Sequence, residues 1–142
     1  MAVIEDLDPE PGTGAFWGEV NTTVHKGLGV LGCVTNGSIR DLDLIATDFQ
    51  LLAGMVGPSH AFVRVEEVGS EVTVHGMSVA DGELIHADRH GAVVIPAAAL
   101  TQLPHAIDLC ARREAPILAA ARQPDFSVEA LRAAMAEADD IH

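Results

Sequence analysis

One short apolar run, with turn-forming residues after it, constrains the fold of this chain more than any other feature. Residues 29–35 are compact and apolar, and Asn36-Gly37 follows them as a pair of turn formers. An apolar run of this length, bounded by turn signals, predicts a strand that is buried on both faces, as is typical of parallel sheets. We therefore expect this strand to lie inside a parallel sheet.

A short helix is predicted immediately before this strand. Val20, Val24 and Leu28 recur every four residues, which places them on one face of an amphipathic helix, and Gly29 supplies its end. Residues 2–4 form an earlier apolar run that predicts a strand before a loop rich in turn formers. Strand, helix and strand make a βαβ unit. Its parallel crossover brings the helix N-terminus and the loop after the second strand to the same edge of the sheet.

The remainder of the chain divides into a β-rich middle and a helical end. One or two helical turns are expected after Asp41, ending near residues 47–48. Alternating or β-branched residues then predict a meander or Greek-key-like set of strands at residues 61–65, 71–75, 83–87 and 92–95. From residue 97 onward, alanine-rich segments interrupted by prolines 104, 116 and 124 predict two or three helices. The last is expected to start at Ser127 as N-cap and to end near residue 138.

Charge and length restrict the partners that this chain can have. Its 142 residues are the size of one domain, and 8 basic against 21 acidic residues give a net charge of −13. That charge repels a phosphate backbone, so nucleic acid is not expected as a partner. Cys33 and Cys110 lie in apolar stretches and suit core positions in a reducing compartment, which predicts a cytoplasmic location. No apolar run approaches the ~20 residues that cross a bilayer, so no membrane association is expected.

The residues that could carry chemistry lie at the shared edge of the βαβ unit. A helix beginning at Gly18 offers unpaired N–H groups and the positive end of its dipole, and glycine lets a ligand approach closely. Arg40, expected at the same edge, has a planar fork of donors that matches a carboxylate. Both features favour an anion, whereas Asp41 and Glu19 bring negative charge to the same place. That combination indicates a bridging cation such as Mg²⁺.

Such a site suits a 2-oxo acid. A divalent ion held by one or two carboxylates keeps several waters, which a 2-oxo acid can replace through its carboxylate and keto oxygens. The metal and Arg40 would then stabilise the enolate formed when a carbon–carbon bond breaks, as in retro-aldol cleavage or decarboxylation. The residue types alone also fit a structural alternative, in which Arg40 caps a carbonyl and Asp41 caps the next helix.

Three other features could suggest chemistry. His86, Asp88 and His90 are spaced by two in a way compatible with zinc, but a β-turn explains the segment better. His25 could act as an acid or base, although a solvent-facing histidine is the commoner outcome. Cys33 lies in an apolar run without a base evident from the sequence, which favours a buried, inert thiol.

Three motifs occur together in this chain, namely Trp17-Gly18-Glu19 at the start of a helix, residues 29–41 and residues 81–96. Together they resemble the RraA-like family, which includes class II 4-hydroxy-4-methyl-2-oxoglutarate aldolases, oxaloacetate decarboxylases and the regulator of ribonuclease E activity. The resemblance runs from about Val3 to at least Pro96. It implies an α/β fold, namely a swivelling β/β/α domain with a βαβ unit, a central β-rich region and C-terminal helices. One such domain would cover residues 1–142, with its core at 1–96 and a helical extension at 97–142.

The resemblance also implies roles for individual residues. In the aldolase branch, Asp41 would ligate a divalent metal, Mg²⁺ or Mn²⁺, and Glu19 could add a ligand through water. Arg40 would bind the substrate's carboxylate, and the substrate would contact a cradle formed by Gly18, Glu19, Val20 and Asn21. The Arg-Asp pair is typically not intact in the ribonuclease-regulator branch, so the presence of Asp41 favours a metal-dependent lyase with Arg40 and Asp41 as catalytic residues.

Assembly and an alternative function follow from the same resemblance. Family sites lie between the subunits of a trimer and take an acidic residue from the neighbour, which is matched to no position here. A homo-oligomer, either a trimer or a dimer of trimers, is therefore expected, with a small 2-oxo acid as the ligand. Family members usually carry an additional N-terminal segment before the part matching Val3, so a shortened form is expected. The alternative is a non-catalytic regulator that acts by protein–protein contact.

Overall fold

The strand predicted from the apolar run lies in the middle of a parallel sheet. The computed structural model describes residues 1–60 and 62–142. In it, strand β3 runs parallel to all three of its partners, and seven of its eight residues are buried. The four strands are β1 (Ala2–Ile4), β2 (Ala15–Trp17), β3 (Gly32–Ile39) and β4 (Gln50–Val56). β1 and β2 follow one another along one edge of β3, and β4 pairs along the other.

The turn predicted at residues 36–37 is wrong, because β3 continues through it to Ile39. Its pairing with β4 shifts register between Thr35 and Ser38, so the strand bulges rather than ends. Asn36 is held in the strand by two hydrogen bonds to the backbone of Asp6. Its Nδ2 donates to Asp6 O at 3.0 Å, and its Oδ1 accepts from Asp6 N at 2.7 Å. These long-range bonds replace the local ones that a turn would make.

The predicted βαβ unit is present, with β2 as an unpredicted addition just before the helix. Helix α1 (Glu19–Gly27) lies in the chain between β1 and the parallel β3. The face shared by Val20, Val24 and Leu28 is exposed, at 68%, 51% and 76%. The buried residue of α1 is Thr22, and its Oγ1 accepts from Ala46 N, in the segment before β4.

The hydrophobic core of this part of the chain forms around Trp17, Cys33, Ile39 and Phe49, all buried. These residues come from β2, both halves of β3 and the segment before β4. A short 3₁₀ turn at Leu42–Leu44 matches the helical turn expected after Asp41. It connects the C-terminal end of β3 to the segment that contains Phe49.

Two separate antiparallel hairpins replace the predicted meander. They consist of β5 (Val72–Val74) with β6 (Met77–Val79), and β7 (Leu84–Asp88) with β8 (Gly91–Ile95). The strands predicted at 71–75, 83–87 and 92–95 are confirmed with small shifts, whereas β4 and β6 were not predicted. The strand predicted at 61–65 is wrong for residues 62–65, which are exposed and form no strand; residue 61 lies outside the described residues. An alternating pattern without a neighbouring strand to pair with does not make a strand.

The chain divides into two compact units, Met1–Ile95 and Pro96–His142, and the second is helical. It contains α2 (Leu103–Ala121) and α3 (Val128–Asp139). Ser127 is the N-cap of α3, as predicted, and its Oγ accepts from Ala130 N at 3.2 Å. Pro116 lies inside α2 and does not interrupt it, because one lost hydrogen bond is tolerated among strong helix formers. Cys110 is exposed rather than part of a core. Among the described helices, none combines the length and apolar character needed to cross a membrane.

Candidate active site

The N-terminus of α1 and the residues after β3 meet at one edge of the parallel sheet. Arg40 N donates to Trp17 O at 2.8 Å, so the backbone pairing of β2 with β3 extends one residue beyond β3. Gly18 follows directly after β2 and Asp41 follows directly after Arg40. The structure therefore brings together the two segments that the βαβ argument placed at a common edge.

The carboxylate of Asp41 points back to the start of α1. Its Oδ2 accepts from Glu19 N at 3.3 Å, across 22 residues of sequence, and lies 3.8 Å from Arg40 Nε. Asp41 has a left-handed backbone, with φ 54° and ψ 41°, which aspartate and asparagine tolerate better than most residues. Its side chain makes no cap hydrogen bond to the 3₁₀ turn at Leu42–Leu44. The structural alternative, in which Asp41 caps the next helix, is therefore wrong.

Gly18 is required by the close approach of these side chains. Its backbone is extended, so any residue could adopt the conformation, but space decides the matter. A Cβ atom at this position would lie 2.5 Å from Asp41 Oδ2 and 3.1 Å from Arg40 Cγ. Only glycine leaves room for the carboxylate beside the first turn of α1.

Arg40 presents a donor without an acceptor. Its side chain is 28% exposed, yet its Nε is buried and has no hydrogen-bond partner, since 3.8 Å to Asp41 Oδ2 exceeds hydrogen-bonding distance. An unsatisfied buried donor of a charged group is costly, and it can be satisfied by an acceptor that binds next to it. We call the Glu19 N–H and the Arg40 Nε together the anion-binding corner.

The remaining predicted site residues differ in what they do. The Asn21 side chain ties α1 to β2, because its Nδ2 donates to Phe16 O at 2.5 Å. Val20 and the Glu19 carboxyl group are exposed beside the anion-binding corner. Sequence reasoning missed Thr22, which is fully buried; its Oγ1 donates to Gly18 O at 2.9 Å and accepts from Ala46 N at 3.1 Å. A polar residue in mid-helix, on the side opposite the apolar stripe, was the available signal.

The donor set suits a hydrated hard cation. No three His, Cys, Asp or Glu side chains of residues 1–60 and 62–142 are grouped as ligands of one ion. Asp41 offers a partly exposed carboxylate, and Glu19 offers a second, exposed one at the start of α1. Mg²⁺ and Mn²⁺ accept one or two carboxylates with water at the other positions, so these residues fit such an ion.

A family model described as "RraA-like: Aldolase/RraA" matches residues 2–94, more than half of the chain. The chain belongs to the RraA-like family. A solved structure, an uncharacterized protein from Pseudomonas syringae pv. tomato str. DC3000, is 22% identical with a TM-score of 0.72. The match covers 92% of this chain and 62% of that chain, so the RraA-like chain described here spans about three fifths of the length of its structural relative. No curated protein matches it.

These comparisons confirm the family resemblance and the mixed α/β fold. The RraA-like family includes aldolase and decarboxylase enzymes as well as regulators of ribonuclease E. Membership alone therefore leaves two kinds of function for this RraA-like chain, one chemical and one regulatory.

Cys33 and His25, two other residues considered for chemistry, pack against other parts of this RraA-like chain. Burial raises the pKa of the Cys33 thiol to about 12, so it stays protonated and inert, as predicted. His25 is half-buried, with its ring 4.6 Å from that of Trp17 and its Nδ1 2.7 Å from Asn21 O. Trp17 itself is buried in the core. Among the described residues, none of these three side chains hydrogen-bonds to Glu19 or Arg40.

Proposed function

We propose that this chain is a divalent-metal-dependent lyase that cleaves a carbon–carbon bond of a 2-oxo acid. Its substrate would be 4-hydroxy-4-methyl-2-oxoglutarate, oxaloacetate or both, with pyruvate as a product. One observation carries the proposal: a carboxylate, a guanidinium and a helix N-terminus converge at the end of β3, with Asp41 Oδ2 at 3.3 Å from Glu19 N and 3.8 Å from Arg40 Nε.

Asp41 is the proposed metal ligand, with Glu19 contributing through water. Their carboxylates are the oxygen donors that Mg²⁺ and Mn²⁺ prefer. When bound, such an ion would act as a Lewis acid on the keto group of the substrate. Gly18 leaves open the space beside α1 that Asp41 Oδ2 occupies in this structure, since a Cβ there would lie 2.5 Å from it.

Arg40 is the proposed binder of the substrate's carboxylate. Its guanidinium matches a carboxylate in two parallel hydrogen bonds, and its Nε lacks an acceptor. The backbone N–H of Glu19, at the positive end of α1, would add a second contact. The C3–C4 bond of the oriented substrate then breaks, and its electron pair forms the enolate of pyruvate. In oxaloacetate C4 leaves as CO₂. In 4-hydroxy-4-methyl-2-oxoglutarate the C4 hydroxyl gives up its proton to water, and C4 becomes the keto carbon of a second pyruvate. Arg40 stabilises the enolate charge, and protonation of C3 completes the reaction.

We also propose a cytoplasmic homo-oligomer, either a trimer or a dimer of trimers, whose neighbouring subunit supplies an acidic residue. An exposed apolar stripe beside the anion-binding corner supports a subunit contact there. It is formed by Val20, Val24, Leu28 and Leu31, each more than half exposed. Isolated apolar side chains on a surface need no explanation, but four that recur along α1 and the segment just after it favour an interface.

The same stripe supports the second candidate, a regulator that acts by protein contact without catalysis. The two candidates differ in one requirement, because only the lyase needs Asp41 and a divalent cation. A regulator would bind its partner through the exposed face of α1 whether or not the metal is present.

The test is pyruvate release from oxaloacetate and from 4-hydroxy-4-methyl-2-oxoglutarate, with Mg²⁺ or with EDTA. Wild type is compared with Arg40→Ala and Asp41→Ala, and Asp43→Ala removes an exposed carboxylate two residues away as a control. We expect metal-dependent turnover in wild type and Asp43→Ala, and none in the other two variants. A folded, oligomeric wild type without turnover would refute the lyase for these substrates and favour the regulator.

A further inference from the structure

Both donors of the anion-binding corner face one oxygen of the chain's own Asp41. Its Oδ2 accepts from Glu19 N at 3.3 Å and forms the ion pair with Arg40 Nε at 3.8 Å. We propose that, in the metal-free chain, Asp41 stands in for the substrate's carboxylate and closes the anion-binding corner. Asp41 would leave the anion-binding corner on ligating a divalent cation, and an anionic substrate would then bind there more tightly. The inference rests on the proposed function for the identity of that substrate.

The Asp41 carboxylate occupies the space at the start of α1 beside the Glu19 N–H. Asp41 Oδ2 lies 2.5 Å from where a Cβ on Gly18 would be, so it fills the volume that any other residue would give to a side chain. A substrate oxygen that accepted from Glu19 N–H would have to occupy the same place. Two negatively charged oxygens cannot share it, because their repulsion adds to the steric overlap.

The contact holds Asp41 weakly, which suits a stand-in. A single hydrogen bond of 3.3 Å is long for an N–H to a carboxylate, where about 2.7–2.9 Å is usual. Arg40 Nε remains without a hydrogen bond although it is buried beside the carboxylate. The side chain of Asp41 is 31% exposed, so a cation can reach it from solvent. Both donors can therefore form shorter hydrogen bonds with another acceptor.

Loss of the Asp41 carboxylate has opposite expected effects on turnover and on anion binding without metal. Removing a metal ligand should abolish turnover, yet removing the stand-in should open the anion-binding corner in the absence of metal. Asp41→Asn keeps a residue that tolerates the left-handed backbone and removes the charge. Asp41→Ala removes the acceptor altogether, and Asp43→Ala removes an exposed neighbouring charge as a control.

Pyruvate is titrated into the ¹⁵N-labelled full chain in EDTA, and the signals of the Glu19 amide and the Arg40 Nε–H are followed. We expect metal-free pyruvate affinity in Asp41→Asn and Asp41→Ala to be about tenfold higher than in wild type, the scale of one charge-assisted contact. Asp43→Ala should behave as wild type does. In wild type, Mg²⁺ alone should shift the Glu19 amide, and pyruvate should bind more tightly once Mg²⁺ is present.

Equal metal-free affinities in wild type and both Asp41 variants would overturn the inference, as would a wild-type Glu19 amide that ignores Mg²⁺. A lyase with metal-dependent turnover can still give that result, in which case the proposed function stands and the inference falls. The opposite result can also be recognised. An Asp41-dependent difference in pyruvate affinity can be measured even if the chain turns over neither substrate, in which case the inference stands and the proposed function falls.

Discussion

Two aspartates of this RraA-like chain each lie among positively charged or donor groups, but they are held in opposite ways. Asp88 lies on an exposed hairpin, where its Oδ1 accepts from His90 N at 2.7 Å and its Oδ2 lies 3.2 Å from His90 Nδ1. Asp41 is half-buried and bonds to Glu19, 22 residues away, while Arg40 Nε stays unsatisfied. A carboxylate whose hydrogen bonds are made within its own turn needs no ligand. One that is held by a single long-range hydrogen bond beside an unsatisfied donor can still take a ligand.

Among variants that keep both Arg40 and Asp41, the largest expected effect comes from Gly18→Ala. Its Cβ would lie 2.5 Å from the present position of Asp41 Oδ2, the place that a substrate oxygen is expected to take, so kcat/KM should fall by about 100-fold. Gly27→Ala is the matched control at the other end of α1, since a Cβ there meets nothing within 4 Å. That variant should keep wild-type turnover and gain about 0.5–1 kcal/mol in unfolding free energy. Equal turnover in Gly18→Ala and Gly27→Ala would show that activity does not depend on the space beside Gly18.

The next effect is on stability and is expected from Thr22→Val. The change leaves Ala46 N without its acceptor at 3.1 Å in a part-buried position, which should lower the unfolding free energy by about 1–3 kcal/mol. Urea denaturation followed by circular dichroism measures it. Thr23→Val, at the exposed neighbouring position, serves as the control and should change stability by less than about 0.5 kcal/mol. Similar losses in both would mean that valine's helix propensity, not the hydrogen bond, is responsible.

A smaller effect on catalysis is expected from Arg40→Lys. Lysine keeps the positive charge but loses the planar fork and the Nε donor, so kcat/KM should fall by about tenfold with the lyase substrates. Steady-state kinetics in Mg²⁺ distinguishes this loss from the complete loss expected for Arg40→Ala. Wild-type kinetics in Arg40→Lys would show that charge alone, rather than bidentate binding, is what the site uses.

The smallest effect is expected at Asp88, the aspartate on the exposed hairpin. The backbone N–H of His90 lowers the pKa of the Asp88 carboxyl group. Its ionised form therefore stabilises the fold above about pH 4, and this contribution is lost as the pH falls through the lowered pKa. Asp88→Asn should keep full turnover, and its unfolding midpoint should fall less than that of wild type between about pH 7 and about pH 3. Loss of turnover would instead make the hairpin part of the active site.

The sequence was informative where local pattern and chain topology agree. The apolar run at β3, the four-residue spacing in α1 and the handedness of a parallel crossover were enough to place Gly18 and Asp41 at one edge. Pairing between distant segments was not predictable in this way. β4 has no alternation, and residues 62–65 alternate without a partner strand. Likewise, the contact of Asp41 with Glu19 depends on a left-handed backbone that residue type permits but does not require.

That left-handed backbone at Asp41 also limits how the site can change over evolution. Asparagine and glycine accept φ 54° with little strain, whereas β-branched residues do not. A lineage that lost the carboxylate through asparagine or glycine would keep the chain direction at this corner, and β3, α1 and the core around Trp17 could remain as they are. Descendants without the Asp41 carboxylate would then keep the same fold, and the fold alone would not distinguish them from proteins that retain it.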